Sequence, residues 1–136
     1  MFQTQIIIQT EKKGLIQITE LIQRHVQQHL PEIGFLNLFL QHTSASLIIQ
    51  ENSDPSAVLD LCSFADILAP NGQKWHRHTS EGADDTTSHM KSVMMGVSLT
   101  IPVNSSRLAL GTWQGIYLWE HRSRPANRKI VLTVFP

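Results

Sequence analysis

Phe35-Leu36-Asn37-Leu38-Phe39-Leu40-Gln41-His42-Thr43-Ser44-Ala45-Ser46-Leu47-Ile48-Ile49 sets the architecture of this chain. Two apolar, β-prone runs flank a polar stretch that carries one imidazole and three hydroxyls. Each run is too short for a helix, so both are read as buried strands with a bend between them. An imidazole at such a bend lies at the edge of a core and must find a hydrogen-bond partner or a metal ion.

Upstream, Phe2–Thr10 contains Ile6-Ile7-Ile8 and reads as a strand, Glu11-Lys12-Lys13-Gly14 as a turn, and Leu15–Ile18 as a short strand. Thr19 is the expected N-cap of a helix whose Leu21, Ile22, Val26 and Leu30 recur at helical spacing until Pro31. Downstream, Asp54-Pro55 joins a capping carboxylate to a proline at the first helical position. Val58, Leu61, Cys62, Ala65 and Leu68 then share one face, and Pro70-Asn71-Gly72 ends that helix. Residues 73–83 read as loop, after which Asp84 or Asp85 is expected to cap a short helix through Met95, closed by Gly96. Val97–Val103, Arg107–Leu110, Gly111–Glu120 and Arg128–Phe135 read as antiparallel strands, with a turn at Asn104-Ser105-Ser106. Strands with two or three helices among them make the fold class α+β, with a mostly antiparallel or mixed sheet.

The 136 residues suffice for one core, hence a single domain over 1–136, and are too few for a (β/α)₈ barrel. Eleven basic residues balance eleven acidic ones, which leaves no electrostatic footprint for nucleic acid or an anionic membrane. No apolar run approaches the roughly 18 residues of a membrane span. The lone Cys62 has no intrachain partner, and a cytoplasmic location is expected. A surface this close to neutrality favours self-association.

Seven histidines are many for this length. His25 and His29, four apart, read as a solvated helix face, and His76 and His78 alternate along the loop. His89 follows Asp85 by one turn, with Lys91 close behind. A carboxylate, an imidazole and an ammonium near a helix N-terminus suit an anion such as phosphate. Ser44 and Ser46 lack a G-x-S-x-G elbow. Gly111-Thr112-Trp113-Gln114-Gly115 marks a bulge or close backbone approach, with an indole and an amide to offer a heterocycle. Glu120 is a candidate ligand or base. Histidines from separate segments with nearby carboxylates suit zinc or a similar divalent ion, although no H-E-x-x-H and no paired C-x-x-C occurs. There is also no Walker loop and no G-x-G-x-x-G.

Gln41–Leu47, Glu51-Asn52-Ser53-Asp54-Pro55, Glu81-Gly82-Ala83-Asp84-Asp85, His89-Met90-Lys91-Ser92 and Gly111–Tyr117 together resemble the YjbQ family, in order and over nearly the whole chain. The resemblance implies a sandwich-like core, a homotrimer, clustered histidines around a metal, and a secondary thiamine-phosphate synthase activity. It assigns His42, His78 and His89 as metal ligands, with His76 the alternative to His78. It places Asp85, Lys91 and Glu120 in the catalytic set, and Ser44, Asn52, Asp54, Trp113 and Gln114 against the substrate; helix capping alone also accounts for Asp54. Zinc is the expected cofactor, with Mg²⁺ brought by the substrate as the alternative, because three imidazoles prefer zinc-like ions. The implied reaction joins a pyrimidine methyl pyrophosphate to a thiazole phosphate. A metal-dependent hydrolase of an ester or phosphoester, and a non-catalytic ligand-binding or regulatory trimer, are the alternatives.

Overall fold

A computed structural model describes residues 1–136. Eight strands and three helices follow one another: β1 (Phe2–Thr10), β2 (Gly14–Gln17), α1 (Thr19–Val26), β3 (Ile33–Leu40), β4 (Ala45–Glu51), α2 (Pro55–Leu68), α3 (Asp85–Met95), β5 (Ser98–Asn104), β6 (Arg107–Leu108), β7 (Gln114–Glu120) and β8 (Ala126–Phe135). One sheet runs β1-β8-β3-β5-β6 and the other β2-β7-β4. Every pairing is antiparallel.

The two apolar runs of the opening stretch belong to different sheets. β3 lies third in the larger sheet and β4 on an edge of the smaller, so residues 41–44 carry the chain from one layer to the other. Strand alternation sends Leu36, Leu38 and Leu40 of β3 inward with Ile6 and Ile8, Ile101 and Val103, and Ile130, Leu132 and Val134. Ala45, Leu47, Ile116 and Leu118 meet them from the smaller sheet, and Ile18, Ile22 and Val26 enter the same core from α1 and the residue before it. β3 is not wholly buried as its composition predicts: Phe35 and Phe39 point away, 44% and 46% exposed.

Local sequence places most elements but not every boundary: α1 closes at Val26 and passes into a 3-10 turn over Gln27–His29, β6 covers only Arg107–Leu108, and β8 begins at Ala126. Thr19 does not cap α1; its hydroxyl instead accepts a 2.9 Å hydrogen bond from the Ile116 amide and ties the helix to β7. Asp84 occupies the N-cap position of α3, but its side chain does not cap the helix, because the carboxylate accepts from the amide and hydroxyl of Ser123 at 2.8 and 3.0 Å. β7 starts at Gln114, residues 111–113 forming a turn before it. Asp54 does cap α2, accepting from the Ser56 amide at 2.9 Å. The expected apolar face of α2 is partly covered: Ala65 is buried, Val58, Leu61 and Cys62 are half-buried, and Leu68 is exposed, as are Leu59, Phe64 and Ile67 outside that face. The close approach foreseen at the glycine pair falls on Gly115, where a Cβ would stand 2.8 Å from Gln17 Nε2.

A buried ion pair joins the layers at the end of β7. Glu120, without exposed surface, receives Nε of Arg128 in β8 at 2.8 Å and Nη2 on its other oxygen. The Thr10 hydroxyl donates to Glu120 at 2.6 Å, and the Arg122 amide at 3.2 Å. Arg128 Nη2 also donates to the Ser44 carbonyl at 3.2 Å, fixing the end of the crossing segment. Removing one partner of such a pair leaves a buried charge uncompensated. Glu120→Ala is therefore expected to lower stability by about 3–5 kcal/mol in urea unfolding, and Glu120→Leu/Arg128→Met by much less. Equal losses in the two variants would contradict this account of the pair.

Candidate metal centre

The end of β7 that holds Glu120 also positions the candidate site. Two residues beyond Glu120, Arg122 donates from Nη1 to Asp85 Oδ1 and from Nη2 to the Glu81 carbonyl at 2.9 Å, with Nε 3.4 Å from Asp84 Oδ1. It thereby clamps the loop entering α3. Asp85, the first residue of α3, is 2% exposed, and its second oxygen faces two imidazoles. His78 Nε2 lies 2.6 Å from Oδ2, and His89 Nε2, one helical turn on, lies 3.1 Å from it. Burial works against the charged form of Asp85, but the His78 hydrogen bond and the His89 and Arg122 charges outweigh it and hold its pKa below the usual carboxylate value.

The tautomer of His89 follows from its other nitrogen. Nδ1 is 2.7 Å from the carbonyl oxygen of Thr43, which can only accept, so Nδ1 carries hydrogen. In the neutral ring Nε2 then presents a lone pair to a carboxylate oxygen 3.1 Å away. Two acceptors at that distance repel unless a proton or a metal ion lies between them. A ligating histidine commonly donates its second N–H to a backbone carbonyl in this way.

The donor set is chemically suited to a divalent ion. His78, Asp85 and His89 each offer one ligand atom, all within 4.8 Å of one another. Ligands about 2.05 Å from a tetrahedral zinc are about 3.3 Å apart, so modest opening of the His78–Asp85 contact makes room. The carboxylate side is buried, while the His78 and His89 side chains are 47% and 38% exposed, so the open face is on the imidazole side.

The structure distributes the sequence-derived residues unevenly. It brings together His78, Asp85 and His89, but not His42. His42 Nε2 accepts the Lys129 amide at 2.8 Å, which commits it to β8, and its ring lines a neighbouring cleft of about 800 Å³ with His89 and Thr43. Burial and the Arg128 charge lower the His42 pKa. His76 is not in the cluster, and its buried Nε2 has no partner. Lys91, two residues from His89 and so on the opposite side of α3, is 3% exposed and donates to Asp66 at 2.6 Å. Glu120 is enclosed by Arg128, and Ser44 contributes its carbonyl to that pair.

Asn52, Asp54, Trp113 and Gln114 lie at the far end of the smaller sheet, about 20 Å along β4 from Ser44. Their polar groups hold local turns: Gln114 Oε1 accepts from the Gly111 amide at 2.8 Å, and the Asn52 amide donates to the Trp113 carbonyl at 3.0 Å. Trp113 remains 62% exposed.

Arg122, Thr43 and His121 escaped sequence reasoning. The one signal was a run of three polar residues, Glu120-His121-Arg122, closing an apolar strand. His121 Nε2 is 2.8 Å from the Ser46 hydroxyl, while its Nδ1 is buried without a partner.

A family model described as "UPF0047 protein YjbQ-like" matches residues 4–136. The chain belongs to this family. A UPF0047 protein of Synechocystis is 43% identical over 129 residues, 95% of this chain and 88% of the relative. The UPF0047 protein YjbQ of Escherichia coli O157:H7 is 40% identical over 134 residues, 98% and 96% of the two chains. A conserved hypothetical protein of Thermus thermophilus, solved by crystallography, superposes with a TM-score of 0.86 at 30% identity, covering 97% of this chain and 99% of that one. The α+β fold is thus that of the family's solved members.

The buried His121 makes a pH prediction. Burial, followed by the Lys91 charge, pushes its pKa from 6.5 down to about 3, with Arg128 and Lys13 acting the same way and Glu120 opposing. The unfolded chain therefore binds the proton first as pH falls, and stability declines on acidification. This group's share is about 1.4 kcal/mol per pH unit between about pH 6 and 4. Unfolding curves of His121→Gln should show a correspondingly shallower slope over that window; an unchanged slope would remove the assignment.

Proposed function

We propose that this chain is a metal-dependent enzyme for a small phosphorylated molecule, with His78, Asp85 and His89 holding a zinc-like divalent ion. The observation that carries the reading is the convergence of His78 Nε2 and His89 Nε2 on the buried Asp85 carboxylate, with His89 Nδ1 turned to the Thr43 carbonyl. A bound ion supplies Lewis acidity toward a phosphoryl or carbonyl oxygen. The chain's own part is to fix the donors: Arg122 orients Asp85, Thr43 orients His89, and the buried carboxylate side leaves approach from the imidazole side.

Two imidazoles and one carboxylate suit metal-assisted hydrolysis of an ester or phosphoester better than an oxygen-rich Mg²⁺ diphosphate site. The thiamine-phosphate synthase activity implied by family resemblance is a second reaction of the same centre. It requires the pyrimidine and thiazole rings to be held near His89, because Trp113 and Gln114 of the same chain are at the opposite end of the smaller sheet. Self-association is supported by the exposed Leu59, Phe64 and Ile67 on α2, and a homotrimer is the assembly that the family resemblance implies. A cytoplasmic setting, without nucleic-acid or membrane partners, accords with the balanced charge and with the absence of any helix long and apolar enough to cross a membrane.

Elemental analysis of untagged protein is expected to find near-stoichiometric zinc or another transition metal. His78→Ala and His89→Ala should each lower metal affinity at least about tenfold while retaining the folded circular dichroism spectrum, because both side chains are partly exposed. Sedimentation equilibrium of the same preparation should give three times the 15.4 kDa chain mass. Absence of metal after reloading would sink the metal-enzyme reading, and a monomeric mass would sink the trimer.

A further inference from the structure

A second cavity adjoins the cleft that contains His42, and His89 and Val93 of α3 line both. Its volume is about 490 Å³, within the range of small-molecule sites. Leu68 and Pro70 at the end of α2, Trp75 in the following loop, and Met90, Val93 and Met94 on α3 form apolar walls. Trp75 is 67% exposed and edge-on to the His76 ring, with centroids 4.5 Å apart. Two imidazoles also line it, His89, one of the three candidate metal donors, and His76, with Ala69 and Thr86 completing the wall.

The His76 ring lines this cavity, while its Nε2 is enclosed by protein and makes no hydrogen bond. The same ring also lines a smaller polar cavity of about 300 Å³ together with His78. His76 thus stands between an apolar chamber that reaches His89 and a polar one that reaches His78.

We propose that this chamber binds the body of the substrate, and that the ligand is a small amphipathic oxyanion. Its aromatic or branched apolar part packs between Trp75 and the Met90–Val93–Met94 face, and its anionic head lies at the His78–Asp85–His89 centre. The proposal rests on the metal-centre reading for the head group. It adds the ligand class, because six apolar walls favour a hydrophobic body over a sugar or a bare inorganic anion.

The test is calorimetric titration of zinc-loaded protein with benzylphosphonate against methylphosphonate, and with phenylacetate against acetate. Within each pair the head is the same and only the ring differs. The stronger pair identifies the head as phosphate-like or carboxylate-like. Benzylphosphonate or phenylacetate is expected to bind at least about tenfold more tightly than its ring-free partner. Trp75→Ala should reduce that ratio to about threefold or less, with zinc content unchanged. Ring-bearing and ring-free probes of equal affinity, at full zinc occupancy, would overturn the chamber and leave the metal centre standing. A ratio unaffected by Trp75→Ala, in a variant that sediments with lower mass, would overturn it too and make the chamber a contact between copies. Failure of the protein to retain zinc would overturn the underlying reading, and is seen from the zinc content before any ligand is added.

Discussion

The Glu120–Arg128 ion pair is the constraint on which the functional end of this fold depends. It joins β7 of the smaller sheet to β8 of the larger, draws in Thr10 from β1, and fixes the Ser44 carbonyl where the chain crosses between layers. Buried pairs of this kind add little net stability over apolar replacements, but they tolerate few alternative arrangements. Here that intolerance fixes two neighbours. Arg122 follows Glu120 by two residues and grips Asp85; Thr43 precedes Ser44 and accepts from His89. Both protein contacts that orient the candidate donors are therefore offset by one or two residues from the same buried charge.

The result is a centre of unequal sides. Asp85 is buried and held by a guanidinium, whereas His78 and His89 reach solvent, and cavities meet at their exposed edges. Such an arrangement holds a carboxylate inside the protein with two imidazoles between it and solvent, their Nε2 atoms turned to it. Lys91 belongs to a different system. With Lys13 it neutralises Asp66, and it adds positive charge beside His121, which burial keeps unprotonated.

Much of the fold was legible because alternation and punctuation agreed with tertiary structure. Leu36, Leu38 and Leu40 announce a strand, Asp54-Pro55 a helix start, and Ser105 and Ser106 adopt the positive φ that tight hairpins demand. What local sequence could not express was competition for side chains. Asp84 suits a cap until Ser123, 39 residues away, offers it an amide and a hydroxyl. The site followed the same pattern. His89 and Asp85 are neighbours by helix geometry, but His78 reaches them only through the loop, and His42 is drawn off by the Lys129 amide of a distant strand. The motif around Trp113 and Gln114 was legible as a turn with a close backbone approach, while its distance from the histidines depends on the length and direction of β7.

The central claim is that His89 is held with its proton on Nδ1 so that Nε2 can take an ion shared with Asp85 and His78. Imidazole nitrogen-15 NMR of the folded protein, followed during zinc addition at about pH 7.5, reads each nitrogen directly. The account predicts that His89 Nδ1 keeps its hydrogen throughout, while His89 Nε2 and His78 Nε2 move together to the metal-bound position at one equivalent of zinc. Spectra in which His89 Nε2 stays protonated against Asp85, with neither ring responding to stoichiometric zinc, would contradict it.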